Sequence, residues 1–476
     1  FTYRGVDGGY LQIDGAQSAV RGLATEPVQV VTPVLDWTTA SDAETTVLAR
    51  LVSGQGTEAA EISAVVHSRV GRGEAVLFAY DLPHTIARLR QGDPAHADLC
   101  FAGLDGIFRP SELFVGQLDP ARMSVAQADI QTALLARLIE TLAPRPRVWY
   151  YPHAAQRSTL LMTSDDDWST LEQFEALLGG LRRRNAHCSF YVVPQSNLTR
   201  AHMDRWEAEG HTFTVHPALE QDIRRGLAPD EPQRHVVAEM LRTNVARHQR
   251  EFGRTPRTIR QHAVRWLGYV EAARVQAELG IRMDLNYLSV HPFPLGYMSG
   301  SGRPLRFVDV DGVLIDCFQQ PTLWTEEVLI HPEFVFSFKW TVERALEEVD
   351  SIIERATQEF YTPMAINSHP VSFATYSGPL IEGCWDRALA ASAPIISADE
   401  WLAWTAARNG VQIEMVEGGF IVGTEQAIDE LTILLPADAQ PETTRGTLST
   451  QRLWGQTYAA LTLGQLQAGE RRHVSN

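Results

Sequence analysis

The stretch Thr159-Leu160-Leu161-Met162-Thr163-Ser164-Asp165-Asp166-Asp167-Trp168-Ser169-Thr170-Leu171-Glu172 decides how the middle of this 476-residue chain is read. Its apolar half predicts a buried strand, and Ser169-Thr170-Leu171-Glu172 has the form of a capping box that starts a helix. Three adjacent carboxylates therefore fall where a strand hands over to a helix. They repel one another, so a cation, hydrogen-bond donors or water must take up the charge. For an isolated acidic run, water on a wet surface is the ordinary answer.

The surroundings of the run argue for more than that. Strand-like runs recur at Thr159 to Thr163, Cys188 to Val193, His211 to His216, Thr258 to Gln261, Ile281 to Leu285, Leu305 to Val308, Met364 to Asn367 and Ile395 to Ser397. Helix-length segments separate most of them: Thr170 to Ala186, Pro232 to Phe252, Tyr269 to Leu279, Val342 to Phe360 and Asp399 to Asn409. This alternation over residues 147–409 predicts a (β/α) barrel, whose chemistry gathers at the C-terminal ends of its strands. The acidic run lies at such an end.

Residues 1–146 predict a separate α/β domain, with strands at Val28 to Val31, Ile62 to Val66 and Ala75 to Tyr80 and helices at Asp42 to Leu51 and Ser124 to Leu142. The segment Gly71 to Asp81 resembles the glycine turn and buried strand of glutamine-amidotransferase-like folds. An amidotransferase needs a cysteine on a glycine-flanked elbow, and Cys100 lacks those flanks, so the domain is read as non-catalytic. Pro144-Arg145-Pro146 marks a linker. Residues 410–476 switch to short strands and turns, a small all-β module.

Composition narrows the function. A formal net charge of −17 argues against nucleic acid, and Arg182-Arg183-Arg184 is too short a basic run to reverse that. Cys100, Cys188, Cys317 and Cys384 are far apart and form no C-x-x-C pair, so they are expected as core residues. No apolar run approaches the roughly 20 residues of a membrane span. The chain opens on Phe1 instead of Met, so removal of a leader or an upstream segment is expected.

Candidate chemical groups collect at four predicted strand ends: the acidic run, His216 with Glu220 one helical turn beyond, Arg260 with His262, and His369 before Pro370. In this set the chain resembles the polysaccharide deacetylases of carbohydrate esterase family 4, which have a distorted (β/α) barrel. Thr163-Ser164-Asp165-Asp166 is similar to the first family motif, Gly210 to His216 to the second, Arg260 to the arginine of the third and His369 to the histidine of the last. The Gly296 to Pro304 loop is similar to one in divergent relatives. The resemblance implies Asp165 as general base, Asp166 and His216 as metal ligands, Arg260 as the residue orienting the base and His369 as general acid. Family members place a second histidine four residues after the first, where this chain has Glu220. Glu220 and His262 are both candidates for the third ligand.

A divalent metal in such a mixed nitrogen and oxygen site, zinc before cobalt, nickel or iron, activates water and polarises a carbonyl. The expectation is a metal-dependent hydrolase that removes acetyl groups from a carbohydrate outside the cytoplasm. Trp168, Tyr191, Trp266, Tyr287 and Trp324 are candidates to stack on sugar rings or to pack the core. Two other readings stand beside it. One is a non-catalytic glycan-binding or structural protein that keeps the barrel; the other is a metal-free glycosidase, which needs two carboxylates facing one bond.

Overall fold

The computed structural model describes residues 5–6, 9–23, 26–35, 45–52, 62–97, 107–219, 233–290, 293–442 and 446–475. Contacts group the chain into two compact units, 1–86 with 127–157 and 403–476, and 87–126 with 158–402. These borders differ from the sequential ones expected at 146 and 409.

The second unit is built on β1 (Leu160–Asp165), buried along its whole length. Burial on both faces is why it reads as a continuous apolar run and not as an alternating one. Around it stand β2 (Ser189–Val192), β3 (Thr212–Val215), β4 (Thr258–Ile259), β5 (Met283–Asp284), β6 (Leu305–Val308), β7 (Leu314–Gln319), β8 (Thr322–Thr325), β9 (Met364–Ser368) and β10 (Ile395–Ser397). They form a ten-stranded sheet in the order β6-β7-β5-β4-β3-β2-β1-β9-β8, with β10 also paired to β1. Every pairing is parallel except β6 with β7. A parallel bridge from Leu288 to Thr322 joins the chain after β5 to the start of β8 and closes the curled sheet into a distorted barrel.

Helices α1 (Leu171–Arg182), α2 (Arg200–Glu207), α3 (Gln233–Phe252), α4 (Glu271–Glu278), α5 (Glu326–Ile330), α6 (Val342–Arg355) and α7 (Gly378–Ala390) lie between the strands in sequence. The cap of α1 falls one residue later than the sequence suggests. Thr170 accepts the Gln173 backbone N–H, and the Gln173 side chain accepts the Thr170 N–H at 2.8 Å. Strands β7 and β8 were not anticipated: β7 is partly exposed, and Pro321 with the polar Thr322 and Thr325 disguises the buried β8.

Residues 87–126 pack with the barrel instead of with an N-terminal domain. Phe108, Leu113 and Phe114 share its hydrophobic core with Trp266, Tyr287 and Phe307. The Gly296 loop seals this contact: Tyr297 N–H donates to Met123 O at 2.7 Å, and a Cβ on Gly296 would meet that oxygen at 2.3 Å. Cys188, Cys317 and Cys384 are free and buried as expected; Cys100 lies outside the described residues.

In the first unit the expected helix at Asp42 to Leu51 is instead a strand, Thr45–Val52. It joins an antiparallel five-stranded sheet. Its Thr-Thr-Val run favours strand, and the antiparallel order departs from the amidotransferase-like α/β layer expected there. Helix Gln127–Leu142 lies on the other side of this unit's contacts: Arg137 donates to Arg21 O at 3.2 Å and to Trp454 O at 2.9 Å. That guanidinium ties the two ends of the chain together. Residues after the predicted linker, Arg147–Val148, pair with Leu431–Pro436 in a four-stranded sheet, next to a three-stranded sheet of the expected all-β kind.

The N-terminal end of the barrel is closed by Asp399. Its carboxylate accepts hydrogen bonds from Ser189, Thr212 and Thr258 at 2.8, 2.9 and 3.1 Å, each the first residue of its strand. Burial raises its pKa, and the three hydroxyls oppose that rise. Asp399→Ala strands three hydroxyls and is expected to lower stability by about 3 kcal/mol, or roughly 6–12 °C in Tm. Calorimetry checks this, and an unchanged Tm contradicts the role.

Candidate active site

Arg260 follows β4 and is fully buried. Its Nη1 donates to Thr163 Oγ1 at 2.9 Å, Asp165 Oδ1 at 3.1 Å and Asn367 Oδ1 at 2.6 Å. Nη2 donates to Thr322 Oγ1 at 3.0 Å and Nε to Leu285 O at 3.2 Å. One side chain thus ties together β1, β8, β9 and the end of β5. Asp165 is fixed at both oxygens, since Asn367 Nδ2 donates to Oδ2 at 2.8 Å.

Asp166 and Asp167 part company after the strand. Asp166 is fully buried and takes the Ser169 N–H at 3.2 Å, while its own N–H donates to Tyr191 O. Desolvation by burial pushes its pKa up to about 7. It does not line the cleft described below, although its buried Oδ2 also lacks a hydrogen-bond partner. Asp167 and Trp168 adopt left-handed backbone, φ 43° and 56°. Such conformations cost energy in non-glycine residues and are kept where the surroundings over-determine them. Here the twist returns the Asp167 carboxylate to the barrel mouth beside Asp165.

Two histidines flank that carboxylate. His216 Nε2 lies 3.4 Å from Asp167 Oδ1, and His369 Nε2 lies 3.6 Å from Asp167 Oδ2 and 3.9 Å from Asp165 Oδ2. His216 Nδ1 donates to Arg260 O at 2.7 Å, because a carbonyl can only accept. With Nδ1–H committed to that carbonyl, a ring without a second proton turns its Nε2 lone pair toward Asp167 Oδ1, a buried oxygen with no hydrogen bond of normal geometry. Two lone pairs facing at this distance call for a proton or a cation between them. A histidine that gives its other N–H to a carbonyl is the usual arrangement of a metal ligand. Burial favours a neutral Asp167, but His369, His216 and His262 outweigh it and hold its carboxyl well below the usual range.

His369 is oriented by Glu326 at the start of α5. Glu326 Oε1 accepts both the His369 backbone N–H and Nδ1–H at 2.8 Å, and Oε2 accepts the Thr325 hydroxyl. Desolvation opposes the imidazolium, but Glu326, Glu327 and Asp167 together push its pKa well up. His369 therefore carries a proton on Nε2, facing Asp165 and Asp167. Glu326 was not singled out in the sequence, because nothing in Thr325-Glu326-Glu327-Val328 separates a buried orienting carboxylate from a solvated helix start.

These groups line a cleft of about 330 Å³ with Asp165, Asp167, His216, His262, Asn367 and His369 on one side. Arg109, Phe334 and Phe336 line it as well. Arg109 comes from the 87–126 segment and reaches Ala263 O at 3.1 Å, a contribution invisible from the barrel's own sequence. His262 stands edge-on to His216 and Trp168, with ring centroids at 5.7 and 5.5 Å. After it, Ala263 and Val264 are also left-handed, φ 56° and 45°, so both loops at the mouth carry strain. Glu220 lies outside the described residues. Of the aromatic candidates, Tyr191, Trp266, Tyr287 and Trp324 are buried in the core and only Trp168 is partly exposed.

Among the described residues no three His, Cys, Asp or Glu side chains are gathered into a complete cation site. The donor chemistry nevertheless fits a divalent metal at two positions, Asp167 and His216, for the lone-pair reason above.

No family model and no curated protein matches the chain. Solved structures are similar in part. A Mycobacterium smegmatis protein described as a polysaccharide deacetylase is 13% identical over 55% of this chain and 94% of its own, with a TM-score of 0.39. A family 4 acetyl xylan esterase from Clostridium thermocellum, solved with a cobalt ion, is 13% identical over 52% and 92%, TM-score 0.32. The peptidoglycan deacetylase of Bacillus subtilis is 12% identical over 52% and 92%, TM-score 0.30. Likeness at this level carries no weight for chemistry, which the side chains must supply.

The placement of the two aspartates makes a direct prediction. In zinc titration by calorimetry, Asp167→Asn loses binding, whereas Asp166→Asn keeps it within a few-fold. The reverse order returns the ligand to Asp166.

Proposed function

We propose that this chain is a metal-dependent hydrolase that removes acetyl groups from a carbohydrate. The observation that carries the reading is the His216 Nε2 lone pair set against the unsatisfied Asp167 Oδ1 at 3.4 Å, within reach of a second carboxylate and an imidazolium. Asp167 and His216 would hold the metal, with His262 or Glu220 as the third ligand. Zinc suits this donor set, and when bound it lowers the pKa of water and polarises a carbonyl.

The remaining work falls to the protein. Asp165, held by Arg260 and Asn367, takes the proton of the attacking water as general base. Oxygen adds to the acetyl carbon, and the bond from that carbon to the sugar nitrogen or oxygen breaks. His369 gives its Nε2 proton to the departing amine or alcohol, with Glu326 stabilising the imidazolium before transfer. Acetate and the deacetylated sugar leave.

A glycan substrate favours an extracytoplasmic site of action, and no helix among the described residues is long and apolar enough to cross a membrane. The amidotransferase-like segment is assigned no chemistry, in keeping with the antiparallel sheet it belongs to.

Acetate release from acetylated xylan and chitin oligomers tests the reading. Asp165→Asn and His369→Ala are each expected to cut the rate by roughly 10²–10⁴-fold while zinc stays bound. A chelator should abolish activity and added zinc restore it. Activity indifferent to chelation would instead favour a metal-free hydrolase.

A further inference from the structure

Beside His369, on the five-residue helix α5, Glu327 faces the same cleft and has no explained role. Its neighbour Glu326 is committed to His369, but the Glu327 carboxylate accepts no hydrogen bond from any described residue. Burial pushes its pKa up to about 7; His369 opposes that rise, while Glu326, Asp167 and Asp165 add to it. A carboxylate that faces the cleft and is committed to no protein donor is open to a ligand that brings donors.

An apolar wall stands next to it. Phe334 and Phe336 pack edge to face with centroids 5.2 Å apart, and the intervening Val335, 75% exposed, points the other way. The Arg109 guanidinium lies 5.8 Å over the Phe336 ring. Beyond the main cleft these phenylalanines, with Val290, Val328, Arg109, Ser111 and Glu112, line an annex of about 40 Å³.

A carboxylate acceptor beside aromatic faces matches one kind of ligand. A sugar ring offers hydroxyl donors around its edge and an apolar C–H face, which packs on aromatic rings. We propose that Glu327, Phe334 and Phe336 form a subsite for a second sugar ring, next to the ring that carries the acetyl group. Glu327 accepts its hydroxyls, and the phenylalanines cover its apolar face. The substrate is then an oligomer, and Glu327 selects for chain length without taking part in the bond change. The inference rests on the hydrolase reading only for which ring carries the acetyl group.

The test compares N-acetylglucosamine with its tetramer, and acetylated xylose with acetylated xylotetraose, by acetate release and by calorimetric binding. The wild-type protein should favour the tetramers at least about tenfold in KM. Glu327→Gln should raise the tetramer KM roughly tenfold, as for loss of a hydrogen bond to a charged group, with much less effect on the monomer. Phe336→Ala should also narrow the ratio. Unchanged Tm values confirm that both variants fold.

Tetramer preference that survives both substitutions overturns the subsite, as does wild-type protein that does not distinguish length. If no acetate is released, binding decides. Tetramer binding weakened in both variants supports the subsite while the hydrolase reading fails. Absence of binding in both sugar series overturns it.

Discussion

A guanidinium buried without exposure at the barrel centre sets the terms for the rest of the structure. Removing such a charge from water costs several kcal/mol, recovered only if its donors all find acceptors. Each nitrogen of Arg260 finds an acceptor, and the acceptors come from separate strands: Thr163 and Asp165 on β1, Thr322 on β8, Asn367 on β9 and the Leu285 carbonyl after β5. The barrel mouth is thereby held in register by a polar hub. The ring's closing bridge, Leu288 to Thr322, lies beside one of its acceptors.

The hub also prepares the site. It fixes Asp165 in one orientation, and its backbone carbonyl fixes the tautomer of His216. Glu326 does the same for His369 from the opposite wall. Three ionisable groups are thus positioned by partners that do not themselves face the substrate. The left-handed turn at Asp167 and Trp168 adds the last group. Asp165 and Asp167 thus face the same cleft while Asp166 between them is buried.

Much of this was legible in the chain. Apolar runs buried on both faces and helix-length spacers gave the barrel, and Asp165, His216, Arg260 and His369 come together where the strand ends put them. Strand alternation puts Asp165 and Asp167 on one face, yet the motif match points to Asp166; both Asp166 and Asp167 keep a buried oxygen without a hydrogen-bond partner, and only Asp167 lines the cleft. No local sequence signal marks a φ of 43° at an aspartate, because the tertiary surroundings impose it. Glu326 was hidden for a different reason, since burial and a single histidine partner define its role. The cleft wall at Arg109 was hidden by distance, because residues 87–126 join the barrel only in three dimensions. Thr45–Val52, expected as a helix, shows tertiary pairing in an antiparallel sheet prevailing over an amphipathic pattern.

The central claim is that the His216 and Asp167 side chains face each other across a cation position. Anomalous diffraction from crystals grown with zinc tests it most directly. The account predicts one zinc bonded to His216 Nε2 and an Asp167 oxygen, with Asp165 and His369 unligated. Zinc bonded to Asp166, or bound elsewhere with His216 and Asp167 still in direct contact, would contradict it.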